Sequence, residues 1–155
     1  MDIHKIKRWQ TTKTLPQLSP DATHIWQIDL DLASKDIKYL LSDSELERSE
    51  RFISDRDRNR FIQGRGGMRS ILGNYLGMPG QQLQIDIAKH GNPFLTNPGT
   101  YLQFNLTHTA GMALLAVTLD TAIGIDMEQI RDHTGYMRIA KRIFAEQPYP
   151  HRLHP

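Results

Sequence analysis

The sequence predicts an α+β fold with an antiparallel sheet and a long helix. Several short segments alternate apolar and polar residues, as half-buried strands do, and one longer segment repeats apolar residues at helical spacing. The chain has 155 residues, of which 39% are hydrophobic and 23% are charged. These values are typical of one globular domain.

The first elements are a basic arm and a strand. Residues 1–22 are expected to form a loosely ordered arm, because lysine, arginine and proline occur there with little apolar periodicity. The next segment alternates with a period of two, which predicts a strand. Its apolar residues are Trp26, Ile28, Leu30 and Leu32.

Two helices are predicted next. Ser42 and Glu45 have the spacing of a capping box, so a helix should begin there. A second, long helix carries one apolar stripe, and the loop 77–80 ends it. The stripe consists of Phe61, Met68, Ile71, Leu72, Tyr75 and Leu76. Three glycines interrupt this helix, so it should depend on tertiary contacts.

The second half of the chain predicts further strands. Alternation indicates strands at Leu83–Ile87, Leu102–Thr107 and Ile123–Glu128, and the apolar run Met112–Leu119 is typical of a strand buried on both faces. A turn-rich stretch runs from His90 to Gly99. A short helix is expected over 137–144, and the proline-rich tail 145–155 should contain neither helix nor central strand.

Composition excludes several functions. No apolar run is long enough to span a membrane and the N-terminus has no secretory signal, so we expect a cytoplasmic protein with no membrane partner. The absence of cysteine excludes disulfides, cysteine zinc sites and thiol nucleophiles. Phosphate-loop, dinucleotide, serine-hydrolase and zinc-protease motifs are also missing.

An arginine-rich segment lies between Arg48 and Arg69. It holds seven arginines against three acidic residues, a local surplus of four positive charges in a chain of net charge +2. Three interpretations are open: a solvated helix face, a nucleic-acid surface, or a pocket for a phosphorylated small molecule. The near-neutral total charge and the interspersed acidic residues disfavour nucleic acid.

Two further groups of polar residues are candidates for a site. Alternation places Asp126 and Glu128 on one face of the predicted strand, where two carboxylates suit Mg²⁺ that also binds water and phosphate. Thr107 and His108 end another strand and could donate to a phosphate oxygen. In isolation each pattern also fits an ordinary solvated surface.

Taken in order, these pieces resemble the 4′-phosphopantetheinyl transferase family of the two-lobed, surfactin-synthetase-activating type. The resemblance runs from about Leu40 to Phe144. The motifs that carry it are Leu41–Arg48 (LSDSELER), Arg51-Phe52, Arg60, Arg69, Gly91-Asn92-Pro93, Phe104–His108 (FNLTH), Gly124–Glu128 (GIDME) and Ile139–Phe144 (IAKRIF).

The resemblance implies a transferase that moves 4′-phosphopantetheine from coenzyme A to a serine of an apo acyl- or peptidyl-carrier protein. It implies that Asp126 and Glu128 hold Mg²⁺ and that Arg48 and Arg60 bind the nucleotide phosphates. It also implies that Thr107 and His108 bind coenzyme A phosphates and that His108 is catalytic. Asn92 stands where the family usually has a phosphate-binding lysine.

Departures from the family affect the second lobe. The Trp-x-x-Lys-Glu-Ala segment of the family, which contributes a further carboxylate and a lysine, is absent. We therefore expect a first lobe over 23–119 and only the start of a second over 120–144, with activity impaired by truncation. A non-catalytic module that binds coenzyme A or a carrier protein is the alternative. An uncovered apolar face at Ile123–Met127 would favour self-association.

Overall fold

The described part of the chain forms a three-stranded antiparallel sheet, a two-stranded hairpin and two α-helices. This is a computed structural model, and it describes residues 16–32, 37–89 and 91–129. In chain order the elements are β1 (His24–Asp29), a 3₁₀ turn (Lys38–Leu40), α1 (Asp43–Glu50), α2 (Asp55–Leu76), a second 3₁₀ turn (Gly80–Gln82), β2 (Ile85–Ile87), β3 (Pro93–Leu95), β4 (Leu102–Thr109) and β5 (Met112–Leu119). The predicted α+β class is confirmed.

The main sheet has β5 at its centre. β1 and β4 pair with β5 on either side, both antiparallel, and Val117 lies opposite His24 on one side and Phe104 on the other. Alternate residues of β5 therefore face the same side of the sheet. Leu115 and Val117 are fully buried on that side, as the apolar run of this segment predicts.

The start of α1 and the end of α2 lie where the sequence predicts them. The Ser42 hydroxyl accepts a hydrogen bond from the Glu45 amide (3.4 Å), and the Glu45 carboxylate accepts one from the Ser42 amide (3.0 Å), which completes the capping box of α1. The helix α2 ends at Gly77, whose φ of 63° lies in the left-handed region. Glycine adopts this region without a steric penalty.

The long helix α2 covers one face of the main sheet. Met68 and Leu72 are fully buried in the core that the sheet and helix share. Gly67 permits the close approach, because a Cβ atom there would lie 2.9 Å from Cγ2 of Ile28 in β1. The glycines that weaken the helix locally, by about 1 kcal/mol each, thus allow the tertiary contacts that stabilise it.

Three predictions about individual segments are wrong. Leu32 is 64% exposed, because β1 ends at Asp29. The stretch 90–99 contains a strand, β3, which pairs with β2 and places Phe94 opposite Asp86. Residues 123–128 form no strand, although burial still alternates along them, with Asp126 and Glu128 exposed. No backbone ladder joins this segment to a neighbouring strand among the described residues.

The remaining predictions fall partly outside the described residues. These comprise most of the basic arm, the helix expected over 137–144 and the tail 145–155, so the proposed domain division stays a prediction. The described end of the arm is anchored, because Leu18 packs against the core. Ile123, Ile125 and Met127 are half-buried rather than uncovered. No helix in the described ranges is long and apolar enough to cross a membrane.

Candidate functional site

A cavity of about 500 Å³ opens where several elements end close together. Its walls come from α1, the first half of α2, the loop before β3 and the turn between β4 and β5. Its charged and polar lining residues are Arg48, Asp57, Arg60, Arg65, Asn92 and His108. We call it the arginine cavity. Four of the residues predicted for the site, Arg48, Arg60, Asn92 and His108, therefore lie together in the structure.

Arg60 is held by an acidic residue that the sequence analysis did not single out. Its Nε and Nη2 donate to the two carboxylate oxygens of Asp31 at 2.7 and 2.8 Å, a bidentate pair that fixes the guanidinium plane. The hydrogen bond from Arg60 lowers the pKa of Asp31, and the pKa of Arg60 is raised for the same reason. Asp31 and Arg60 are 29 positions apart, and no local pattern connects them.

The turn between β4 and β5 is shaped around this ion pair. Its two central residues, Ala110 and Gly111, have φ angles of 46° and 86°, the combination of a type I′ hairpin turn. A Cβ atom on Gly111 would overlap the Asp31 carboxylate and lie 2.9 Å from Nη2 of Arg60. Glycine is therefore required here both by the backbone conformation and by the space that the pair occupies.

Two further arginines meet at one aromatic ring. The guanidinium carbons of Arg48 and Arg65 lie 5.4 and 5.7 Å from the ring centroid of Phe61, within the range of cation–π attraction. Burial lowers the pKa of Arg65, and the positive charges of Arg48 and Arg69 add to the effect. In the sequence, Arg65 was one of the seven arginines of the arginine-rich segment, and it was not among the predicted site residues.

Arg69 does not belong to the cavity, although it lies in the arginine-rich segment. Its side chain is 2% exposed and donates to Glu45 (2.6 Å) and to the carbonyl oxygens of Gly80 (2.9 Å) and Leu83 (3.1 Å). This network joins α1, α2 and the loop that precedes β2. The role of Arg69 in the described structure is thus to connect these elements, and the positive segment divides into cavity residues and structural residues.

Thr107 lies on the other face of β4. Successive strand residues point to opposite faces, so His108 faces the arginine cavity while Thr107 faces a shallow neighbouring cavity of about 540 Å³. We call this second one the Asp126 cavity, because Asp126 lines it with Asn105 and Thr107. The Thr107 hydroxyl donates to the Asp126 carboxylate at 3.3 Å. Asn92 lines both cavities, so they are adjacent.

The predicted metal ligands are brought only partly into the site. Asp126 lies beside Thr107, whereas Glu128 is exposed and is not among the described lining residues of either cavity. No cluster of three or more histidine, cysteine or carboxylate side chains occurs within the described ranges. One or two carboxylates fit Mg²⁺ that keeps several waters and binds substrate phosphate, and they do not fit an ion held by protein ligands alone.

Comparison with known proteins gives consistent matches over this part of the chain. The family described as "4′-phosphopantetheinyl transferase, N-terminal" matches residues 29–120. The 4′-phosphopantetheinyl transferase HetI of Nostoc sp. is 39% identical over 137 residues, which are 85% of this chain and 58% of that protein.

More distant relatives match shorter stretches. A Synechocystis protein that provisionally carries the same transferase name, slr0495, is 32% identical over 109 residues, 70% of this chain and 44% of its own length. The human L-aminoadipate-semialdehyde dehydrogenase-phosphopantetheinyl transferase is 29% identical over 87 residues, 54% of this chain and 28% of its own. The chain thus spans a little over half of the HetI protein and less than half of the other two.

Proposed function

The chain belongs to the 4′-phosphopantetheinyl transferase family, and on that premise we propose that it binds coenzyme A for transfer of 4′-phosphopantetheine to a serine of an apo acyl- or peptidyl-carrier protein. One observation carries the proposal. Side chains from three separate stretches of sequence line the arginine cavity together: Arg48, Arg60, Asn92 and His108.

The chemistry of this lining suits the phosphates of coenzyme A. Guanidinium groups bind phosphate through charge-assisted hydrogen bonds, often two at a time. Because Asp31 fixes the Arg60 plane through Nε and Nη2, the hydrogens on Nη1 stay available to a ligand. His108 is exposed at the end of β4, where a ring nitrogen can donate to a phosphate oxygen. We assign Arg48, Arg60, Asn92 and His108 to the phosphates.

The reaction is a phosphoryl-type transfer. The serine hydroxyl oxygen of the carrier attacks the phosphorus that bears pantetheine, and the hydroxyl proton is released to solvent. The bond from that phosphorus to the bridging oxygen breaks, and 3′,5′-adenosine diphosphate leaves. Catalysis of this kind rests mainly on positioning and on stabilising the charge that develops on phosphate oxygens. His108 is the catalytic residue of this assignment, because its ring contacts the phosphate on which charge develops.

Asp126, Glu128 and Thr107 complete the proposed site. Asp126 and Glu128 would hold Mg²⁺, which when bound neutralises charge on the diphosphate. The Thr107 hydroxyl keeps the Asp126 carboxylate at the edge of β4, and it is also assigned to a coenzyme A phosphate. Supporting this, the Asp126 cavity shares Asn92 with the arginine cavity.

A second candidate function is binding without transfer. The phosphate-binding side chains lie together in the arginine cavity, whereas Glu128 is not among the described lining residues of either cavity. A polypeptide of these 155 residues would then bind coenzyme A without loading a carrier protein.

Two assays on the same preparation separate these functions. Calorimetric titration with coenzyme A and Mg²⁺ measures binding, and the intact mass of an apo acyl-carrier protein incubated with both measures loading. The transferase is supported if the chain loads the carrier protein, Asp126→Asn abolishes loading, and the exposed control Asp86→Asn preserves it. Saturable binding without loading supports the binding module. The absence of both binding and loading contradicts the proposal.

A further inference from the structure

We propose that Arg65 is a phosphate ligand and forms, with Arg48, a pair of guanidinium groups that binds one anionic group in the arginine cavity. No family motif quoted above includes Arg65. The identity of the anion as part of coenzyme A rests on the proposed function, whereas the existence of the anion site does not.

Within the described residues, Arg65 lacks the carboxylate partner that three other arginines of the segment have. Arg58 pairs with Asp55, Arg60 with Asp31 and Arg69 with Glu45. In the described ranges, no carboxylate oxygen lies within 4.0 Å of the Arg65 guanidinium. The Arg65 guanidinium lies against the Phe61 ring and makes a weak hydrogen bond of 4.0 Å to the Met68 sulfur.

The charge of Arg65 is compensated only in part by its surroundings. Glu45 attracts it, but that carboxylate is already bound to Arg69 at 2.6 Å. Arg48 and Arg69 repel it. A half-buried cation with two like charges nearby is costly unless an anion binds. Asp57, the acidic residue among the described lining residues, is positioned to interact with Arg60.

The geometry around Phe61 favours a shared ligand. Arg48 comes from α1 and Arg65 from α2, yet both guanidinium groups lie against the same ring and both line the cavity. Contact with the ring orders two long side chains before a ligand arrives, which reduces the entropy lost on binding. A phosphomonoester or a diphosphate offers enough oxygen acceptors for two guanidinium groups at once.

Titration of inorganic pyrophosphate and of coenzyme A into the full chain tests this site. Arg65→Met removes the charge and keeps an apolar side chain against Phe61. Arg51→Met is the matched control, because Arg51 is exposed, lies in the same arginine-rich segment and is not a described lining residue of the cavity. We expect Arg65→Met to weaken both affinities by about tenfold to a hundredfold and Arg51→Met to leave them nearly unchanged.

Thermal unfolding without ligand separates binding from a structural role. Arg65→Met should melt at the wild-type temperature or above it, because it removes a half-buried cation that pairs with no carboxylate among the described residues. A lower melting temperature would indicate that Arg65 supports the fold and would overturn the proposal. Arg65→Lys keeps a charge without the planar fork, and should recover part of the lost affinity.

The outcomes distinguish the two proposals. Pyrophosphate binding that depends on Arg65, without coenzyme A binding, supports the anion site and contradicts the proposed function. Coenzyme A binding that Arg65→Met leaves unchanged overturns the Arg65 assignment and leaves the proposed function standing. Dephospho-coenzyme A identifies the phosphate involved: if Arg65→Met also weakens its binding, Arg65 contacts the diphosphate, and if not, the 3′-phosphate.

Discussion

Replacing Glu45 with glutamine should destabilise the fold strongly, although the substitution changes few atoms. One carboxylate oxygen of Glu45 accepts hydrogen bonds from Arg69 (2.6 Å) and from the Ser42 amide (3.0 Å). Glutamine keeps an acceptor for the capping box but has no negative charge. Arg69, at 2% exposure, would then be a buried cation without a counter-ion.

The expected cost follows from the burial of the pair. Removing one partner of a buried ion pair typically costs about 3–5 kcal/mol. Arg69 retains the carbonyl oxygens of Gly80 and Leu83, so we expect about 3 kcal/mol, at the lower end of that range. Because domains are stable by only about 5–15 kcal/mol, this loss is large.

Urea unfolding followed by far-ultraviolet circular dichroism measures the effect. A loss of this size lowers the midpoint by on the order of 1–2 M urea with an unchanged slope. The control is Glu47→Gln, which removes the same charge from an exposed position of α1 and should change stability by less than about 0.5 kcal/mol. Equal midpoints for the two variants would refute the role assigned to the Arg69 network.

Three further effects are expected. Gly111→Ala should cost on the order of 1–3 kcal/mol in unfolding experiments and weaken coenzyme A binding in calorimetry, because its Cβ would displace Asp31 and Arg60. The hydrogen bond from Arg60 lowers the pKa of Asp31. Urea titrations should therefore show wild type more stable than Asp31→Asn above about pH 4, and the difference in unfolding free energy should disappear as the pH falls below that value. Burial raises the pKa of Tyr75, although the hydrogen bond that Trp26 donates to its hydroxyl lowers it. One tyrosine should therefore ionise at a higher pH than the others in an absorbance titration. The difference in unfolding free energy between wild type and Tyr75→Phe should be lost as the pH rises above about 10.

Local patterns predicted much of the fold. The capping box at Ser42 involves residues three positions apart, and the buried stripe through Met68 and Leu72 follows helical spacing, so both are visible in a short window of sequence. The strand β3 was missed because it has three residues, begins with proline and is surrounded by turn-forming residues. Its pairing with β2 is a tertiary property.

The candidate site was predictable mainly through the family resemblance. Asp31 looked like an outward-facing strand residue, and only folding brings it to Arg60, 29 positions away. Arg65 could be distinguished from Arg58, Arg60 and Arg69 only once the carboxylate partners of those three were known. Burial alternates along 123–128, with Asp126 and Glu128 exposed, but the alternation could not reveal that no neighbouring strand pairs with that segment among the described residues.

The ³¹P NMR spectrum of coenzyme A in the presence of the chain tests the central claim most directly, since it observes the phosphates themselves. If the arginine cavity binds them, the phosphate resonances will shift or broaden saturably with wild-type protein, and Arg48→Met will reduce the change while Arg51→Met will not. Phosphate resonances that stay at their free positions with equimolar folded protein at millimolar concentration would contradict the assignment of this cavity to coenzyme A.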